Sequence, residues 1–192
     1  MNTGFETYLR NNSHLTDDEI AQIAGASTTR SLSRNESLLQ EGQVCRHKTY
    51  VISGLLRIYG LVADGSEHIL QFAPEAHWTL DAESYDQQTP SRFNIAAIER
   101  SEVIVWSKPV FDRLLADIPA LRALSQQLIA RSNHGSRQRL FTALSATPEE
   151  KYEEFVRTHA DLQNRLPLHM IAAYLGISLK TLTRIRHAQI RR

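Results

Sequence analysis

Between Thr28 and Trp106 the chain reads as short extended runs cut by turn residues, and this punctuation limits the fold more than any other feature. Thr49-Tyr50-Val51-Ile52 runs into Ser53-Gly54, and Leu55-Leu56-Arg57-Ile58-Tyr59 is followed by Leu61-Val62. Asp64-Gly65 predicts a two-residue hairpin, because both positions tolerate positive φ, and Ile69, Leu70 and Phe72 resume the strand after it. Phe93–Ile98 and Glu102–Trp106 supply two more. Six or more short strands at this spacing make a small antiparallel barrel or roll.

Helical signals flank the strands. Phe5, Tyr8 and Leu9 share one face, and Thr16-Asp17-Asp18-Glu19 has the spacing in which cap and third residue satisfy each other's backbone donors, opening a helix from about Asp17 to Ala24. Ser107 is placed to cap a helix over Lys108–Leu115, and Pro119 to open one that no proline interrupts before about Ser145. Leu121, Leu124, Leu128, Leu140 and Leu144 recur along it at three and four residues or multiples of them. Such a helix is roughly 40 Å long, more than a small roll needs to cover its face. Either it packs wholly within its own chain or, the favoured reading, its seam of Leu121, Leu124 and Leu128 pairs with a second copy of the chain; the polar Ser132-Asn133-His134-Gly135-Ser136 interrupts that seam. Thr147-Pro148-Glu149-Glu150 opens the next helix with a cap, a proline at the first position and a closing acid. Tyr152, Phe155 and Val156 give it an apolar face. The expected division is a roll with N-terminal helices over 1–118, a long dimerisation helix over 119–146 and a helical domain over 147–192.

The chain has 192 residues, 42% of them apolar and 22% charged, which suits one large or two small domains with buried cores and does not suit a disordered protein. Its charge-free runs are too short to span a bilayer, and Met1–Leu9 lacks the basic start and apolar stretch of a signal peptide. A cytoplasmic protein with no membrane partner is expected. The single cysteine, Cys45, excludes an internal disulfide framework, a four-cysteine zinc site and a cysteine-ligated iron–sulfur cluster within one chain, and reads as a buried small hydrophobe. Net charge is only +1, yet six basic residues and no acidic one lie between Arg165 and Arg192. That asymmetry suits a polyanion-binding end.

The segment Leu168–His187 predicts two short helices joined by a tight turn. Ala172 lies four residues before Gly176; the small residue lets the helices cross closely and the glycine permits a left-handed turn. Ile171, Leu175, Ile177, Leu182 and Ile185 hold the apolar positions, Ser178 caps the second helix, and Lys180, Thr181, Thr183, Arg184 and His187 occupy its remaining face. An ordinary helical hairpin would want the same glycine, but the basic, acid-free second helix favours a helix-turn-helix reading double-stranded DNA. Ser178, Lys180, Thr181, Thr183, Arg184 and His187 are the candidate contacts, arginine and lysine for guanine and the hydroxyls for phosphate or base edges. Arg191 and Arg192, beyond it, are expected to reach only the DNA backbone.

In this order a β-roll, a long helix and a C-terminal helix-turn-helix resemble the Crp/Fnr family of bacterial transcription regulators. The resemblance runs over the whole chain and is most specific in Ile171-Ala172-Ala173-Tyr174-Leu175-Gly176-Ile177-Ser178-Leu179-Lys180-Thr181-Leu182-Thr183-Arg184-Ile185-Arg186. It implies an α+β chain with a cyclic-nucleotide-binding-like jelly roll, a homodimer seam on the long helix, and a DNA-binding regulator that is not an enzyme. A small effector and RNA polymerase are candidate partners, and the hairpin wing that follows the recognition helix in many members is expected to be missing or reduced.

The effector pocket departs from the family. Cyclic-nucleotide-binding members carry a Gly-Glu pair for the ribose and an Arg-Ser pair for the cyclic phosphate; here Leu80-Asp81 and Ser91-Arg92 stand at those places. The glycine is absent, the acid is one carbon shorter and the second pair is reversed, which sends Arg92 to the other face of a strand. Leu80, Asp81, Ser91 and Arg92 remain the best pocket candidates, with cyclic AMP or GMP disfavoured. No cofactor, metal or catalytic residue is expected. His47, His68, His77 and His134 show no spacing that marks a haem ligand. A metal-dependent cupin-like enzyme is the alternative from another class, although Glu67-His68-Ile69 has one histidine where such a site wants two. An interaction protein that keeps the fold without a ligand is the third reading.

Overall fold

The structure, a computed structural model, describes residues 3–190. Two helices, α1 (Thr3–Asn12) and α2 (Asp17–Gly25), precede eight strands: β1 (Thr28–Leu32), β2 (Ser37–Leu39), β3 (His47–Ser53), β4 (Leu56–Leu61), β5 (Glu67–Ala73), β6 (Trp78–Thr79), β7 (Asn94–Ala97) and β8 (Ser101–Ser107). A short helix, α3 (Ala82–Gln87), lies between β6 and β7; it has no counterpart in the sequence reading. After the strands come α4 (Lys108–Asp117), α5 (Pro119–Ser145), α6 (Pro148–Thr158), α7 (Leu168–Leu175) and α8 (Leu179–Ile190). Among the described residues no helix is long and apolar enough to cross a membrane.

The strands form two four-stranded sheets, ordered β1-β8-β3-β6 and β2-β7-β4-β5. Leu32, Leu39, Val51, Leu56, Ile58, Ile95, Ala97 and Val103 fill the interior of the roll, joined by Cys45, as expected of a lone buried thiol. A second core lies on the β3–β8 side, where Tyr50, Ile104 and Trp106 meet Phe5 and Leu9 of α1, Ile20 and Ile23 of α2, and Phe111 and Leu114 of α4. Trp106 is fully buried and its indole Nε1 donates to the Ile23 carbonyl at 2.8 Å, so the largest side chain of the core also satisfies its polar atom. Gly54 has φ +89°, and a Cβ there would clash with Ser101 Oγ and the Arg100 carbonyl, so the β3–β4 turn admits only glycine.

Local signals resolve case by case. Both capping boxes form as the sequence predicts, Thr16 with Glu19 and Thr147 with Glu150. Ser107 occupies the N-cap of α4 but makes no side-chain cap hydrogen bond. The two-residue hairpin does not form. β4 ends at Leu61 and β5 starts at Glu67, and only Gly65 takes a positive φ, +82°. Asp64 does not take a positive φ, and its carboxylate accepts from the Ser66 backbone at 2.8 Å, an Asx-type turn in a longer connection.

The chain divides into two compact units, one of residues up to Gly60 with Gln71–Ile129, the other of Leu61–Leu70 with Ala130 onward. Helix α5 runs unbroken through the polar stretch Ser132–Ser136. Leu121 and Leu124 are buried in the second core, with Leu128 packed against it, so they belong to the monomer's interior and not to a free seam. Ile129, Leu140 and Leu144 stay 55%, 60% and 79% exposed. The expectation of one shared seam fails because Leu128 and Leu140 are twelve residues apart, which at 3.6 residues per turn is about three and a third turns. Leu124→Ala is accordingly expected to lower folding stability by about 2–5 kcal/mol, the cost of a cavity in a packed core, read from urea denaturation followed by tryptophan fluorescence.

Candidate nucleic-acid interface

The two helices α7 and α8 pack through Ile171, Ala172, Leu175, Leu182 and Ile185, all buried, while Ile177 is half-buried. Gly176 caps α7 in the left-handed region at φ 65°, and its N–H donates to the Ala172 carbonyl. Ile177 N reaches the same carbonyl at 3.1 Å, so one small residue anchors the whole turn. Ser178 caps α8: its Oγ accepts from Thr181 N at 3.0 Å and lies 2.8 Å from Thr181 Oγ1. These two hydroxyls are tied to the helix start, and Thr181 is half-buried.

Lys180, Arg184 and His187 are exposed on the side of α8 away from Leu182 and Ile185, at spacings of four and three that place them along one ridge. Thr183 flanks this ridge, half-buried, and its hydroxyl donates to the Leu179 carbonyl at 2.9 Å. Leu179, 47% exposed at the first position of the helix, adds an apolar contact point that the pattern of polar residues does not mark. Arg191 and Arg192 lie outside the described residues. One arginine of α8 is already engaged: Arg184 Nη2 donates to Glu149 Oε1 of α6 at 2.9 Å.

A second arginine holds the first helix of the pair. From α5, Arg139 Nη2 donates to the Tyr174 carbonyl at 2.9 Å and to the Ile69 carbonyl at 2.7 Å, and its guanidinium lies 3.8 Å from the Tyr174 ring centre. The Tyr174 carbonyl is in the last turn of α7, where carbonyls lack helical partners and a cation is favourable. Burial pulls the Arg139 pKa down and pushes that of the Tyr174 phenol up, yet the guanidinium keeps its charge at neutral pH. Neither Glu149 nor Arg139 is marked by any local motif; each meets its partner across tens of residues.

The roll places the pocket candidates differently. Asp81 is the buried N-cap of α3, its Oδ1 accepting from Ser84 N at 3.3 Å and its Oδ2 from Ser91 Oγ at 2.5 Å. Leu80 packs against the roll interior. Arg92 is exposed, and it lies in a bend before β7, not on a strand. The structure thus joins Asp81 to Ser91 and leaves Arg92 apart from both. His47, His68, His77 and His134 are all exposed, and among the described residues no three His, Cys, Asp or Glu side chains gather where a metal could sit.

Residues 29–117, from β1 through α4, match the family described as the cyclic nucleotide-binding domain. A protein of Rhizobium leguminosarum bv. viciae named "Probable transcriptional activator" is 23% identical over 183 residues, covering 88% of this chain and 74% of its own. Among solved structures, FixK2 from Bradyrhizobium japonicum superposes with a TM-score of 0.71 at 20% identity over 85% of each chain. CLP, the c-di-GMP responsive global regulator of Xanthomonas campestris, gives 0.74 at 15% identity over 92% of this chain and 93% of that one. At these identities the structural likeness is one of fold.

A cyclic phosphate needs an arginine fork and backbone donors aimed at one point. With Asp81 and Ser91 bonded to each other and Arg92 exposed, cyclic AMP and cyclic GMP at about millimolar concentration are expected to give no specific heat in titration calorimetry. A micromolar dissociation constant would show that Arg92 turns inward on binding.

Proposed function

We propose that this chain is a transcription regulator of the Crp/Fnr type that works as a homodimer, reads a palindromic duplex through α8 and carries out no catalysis. The observation that carries the reading is the basic ridge Lys180, Arg184 and His187, exposed on the helix whose other side holds Leu182 and Ile185 in the core. A helix so anchored enters the major groove, where Arg184 is matched to the O6 and N7 acceptors of guanine. Lys180 and the hydroxyls at the helix start suit phosphate or base edges. The acid-free stretch from Arg165 onward supplies the sequence-independent attraction.

The exposed stripe of α5 supports the dimer. Gln126, Ile129, Asn133, Ser136, Leu140 and Ala143 follow a three-four-three-four-three spacing, the seam of a two-stranded coiled coil, with Leu144 beside it. Asn133 then falls on the same seam position as Leu140 one heptad later, where a single asparagine costs stability but fixes register and two-strandedness. The functional division proposed is a roll over 1–118, a dimerisation helix over 119–146 and a DNA-reading domain over 147–192. The roll is the place for an effector, with Leu80, Asp81, Ser91 and Arg92 the first residues to test; RNA polymerase is a further partner to test, and the cytoplasm the expected compartment. The metal-dependent enzyme reading has no histidine cluster behind it among the described residues.

Selection of bound sites from a random duplex library tests the core of this reading. Recovery of a palindrome with half-sites about 34 Å apart is expected, and recovery of no sequence preference sinks it. Arg184→Ala is expected to cost about 1–3 kcal/mol on the selected duplex and to relax preference at one base pair per half-site. For the dimer, Ile129→Glu combined with Leu140→Glu is expected to give folded monomers in analytical ultracentrifugation, since both side chains are exposed in the single chain. A dimer that survives that change uses another surface.

A further inference from the structure

Two carboxylates stand side by side at the start of α6, and only one of them serves the helix. Glu150 closes the capping box, its Oε2 accepting from Thr147 N at 2.8 Å and Thr147 Oγ1 at 2.9 Å. Glu149 is left out of the box and turns to α8, where its Oε1 accepts from Arg184 Nη2 at 2.9 Å. The Arg184 side chain is still 68% exposed, so this one bond leaves most of its five-donor fork open to a further partner. Resting on the DNA-reading role proposed for α8, we infer that Glu149 is a specificity-determining positioning residue: it makes Arg184 select the neutral edge of a guanine over an anionic phosphate.

The chemistry runs through charge. A phosphate that approaches Arg184 also approaches the carboxylate bonded to it, and like charges at that range repel in the reduced dielectric between protein and duplex. Guanine O6 and N7 carry no net charge, so the open donors of Arg184 can take them while Nη2 stays on Glu149. The bond also holds the long arginine side chain in one arrangement before the duplex arrives, which lowers the entropy lost on docking. An arginine on an exposed ridge without such a neighbour would take any phosphate offered, which strengthens binding to every sequence alike. As an exposed ion pair, Glu149 with Arg184 contributes little to folding, so its charge can be removed without unfolding the domain.

The test uses the full chain and Glu149→Gln, which keeps shape and an accepting oxygen and removes only the charge. Fluorescence anisotropy would measure binding to the selected duplex and to a scrambled one between roughly 50 and 200 mM salt. The variant is expected to bind the scrambled duplex about fivefold more tightly, with the selected duplex unchanged or weakened, so discrimination falls about fivefold or more. The salt dependence on the scrambled duplex should steepen by about 0.9, the slope of one additional neutralised phosphate. In an Arg184→Ala background the same change should have no effect on either duplex. Equal strengthening on both duplexes, or strengthening that persists without Arg184, would make Glu149 a general repulsive charge and overturn the inference. A wild-type protein that binds duplexes without sequence preference would instead overturn the reading of α8, and the role of Glu149 with it.

Discussion

Leu121 and Leu124 bind the first turns of α5 into the aromatic layer of Tyr50, Trp78, Trp106 and Phe111, and what the rest of the helix can do follows from that attachment. Helix geometry leaves no freedom once one face is fixed: a side chain twelve residues on is turned about a third of a circle away. Ile129, Leu140 and Leu144 are exposed. Apolar side chains left exposed at successive turns of one helix are a feature that monomers seldom keep without a partner.

Two arginines illustrate how context divides one residue type into two jobs. Arg139 is bonded to two backbone carbonyls and stacked on Tyr174, so its charge fixes a helix end. Arg184 is exposed and bonded to a carboxylate through one nitrogen, so its charge remains available to a ligand. The polar atoms of the roll divide likewise. Asp81 is used up in capping α3 and holding Ser91, and a carboxylate spent on its own fold is a poor ribose ligand. Residues 29–117 thus match the cyclic nucleotide-binding domain family while Asp81 and Ser91 are bonded to each other.

What could be read from the sequence was what neighbouring residues decide among themselves. The boxes at Thr16 and Thr147, the left-handed Gly176, the cap at Ser178 and the inward faces of α7 and α8 are all written within a few residues, because each depends on backbone groups one turn away. Strands β3, β4, β5, β7 and β8 were legible as apolar runs between turn residues, whereas β1, β2 and β6 were not singled out. The hairpin between β4 and β5 was legible but the length of its loop was not, since Asp64 accepts from Ser66 and only Gly65 takes a positive φ. Helix α3 lay below what a six-residue segment can announce through periodicity.

The sequence by itself determined the longer helices, the helix-turn-helix and the basic charge of its end, because caps, turns and periodicity are encoded over a handful of positions. Only the tertiary structure decided which leucines of α5 are core and which are free, that Asp81 meets Ser91, that Arg139 meets Ile69, and that Arg184 meets Glu149 across 35 residues. Such pairs depend on how separate elements are brought together, and residues that share no turn or strand leave no pattern in the intervening chain. Their bonds arise from burial that first draws the elements into contact, after which polar groups take the partners within reach.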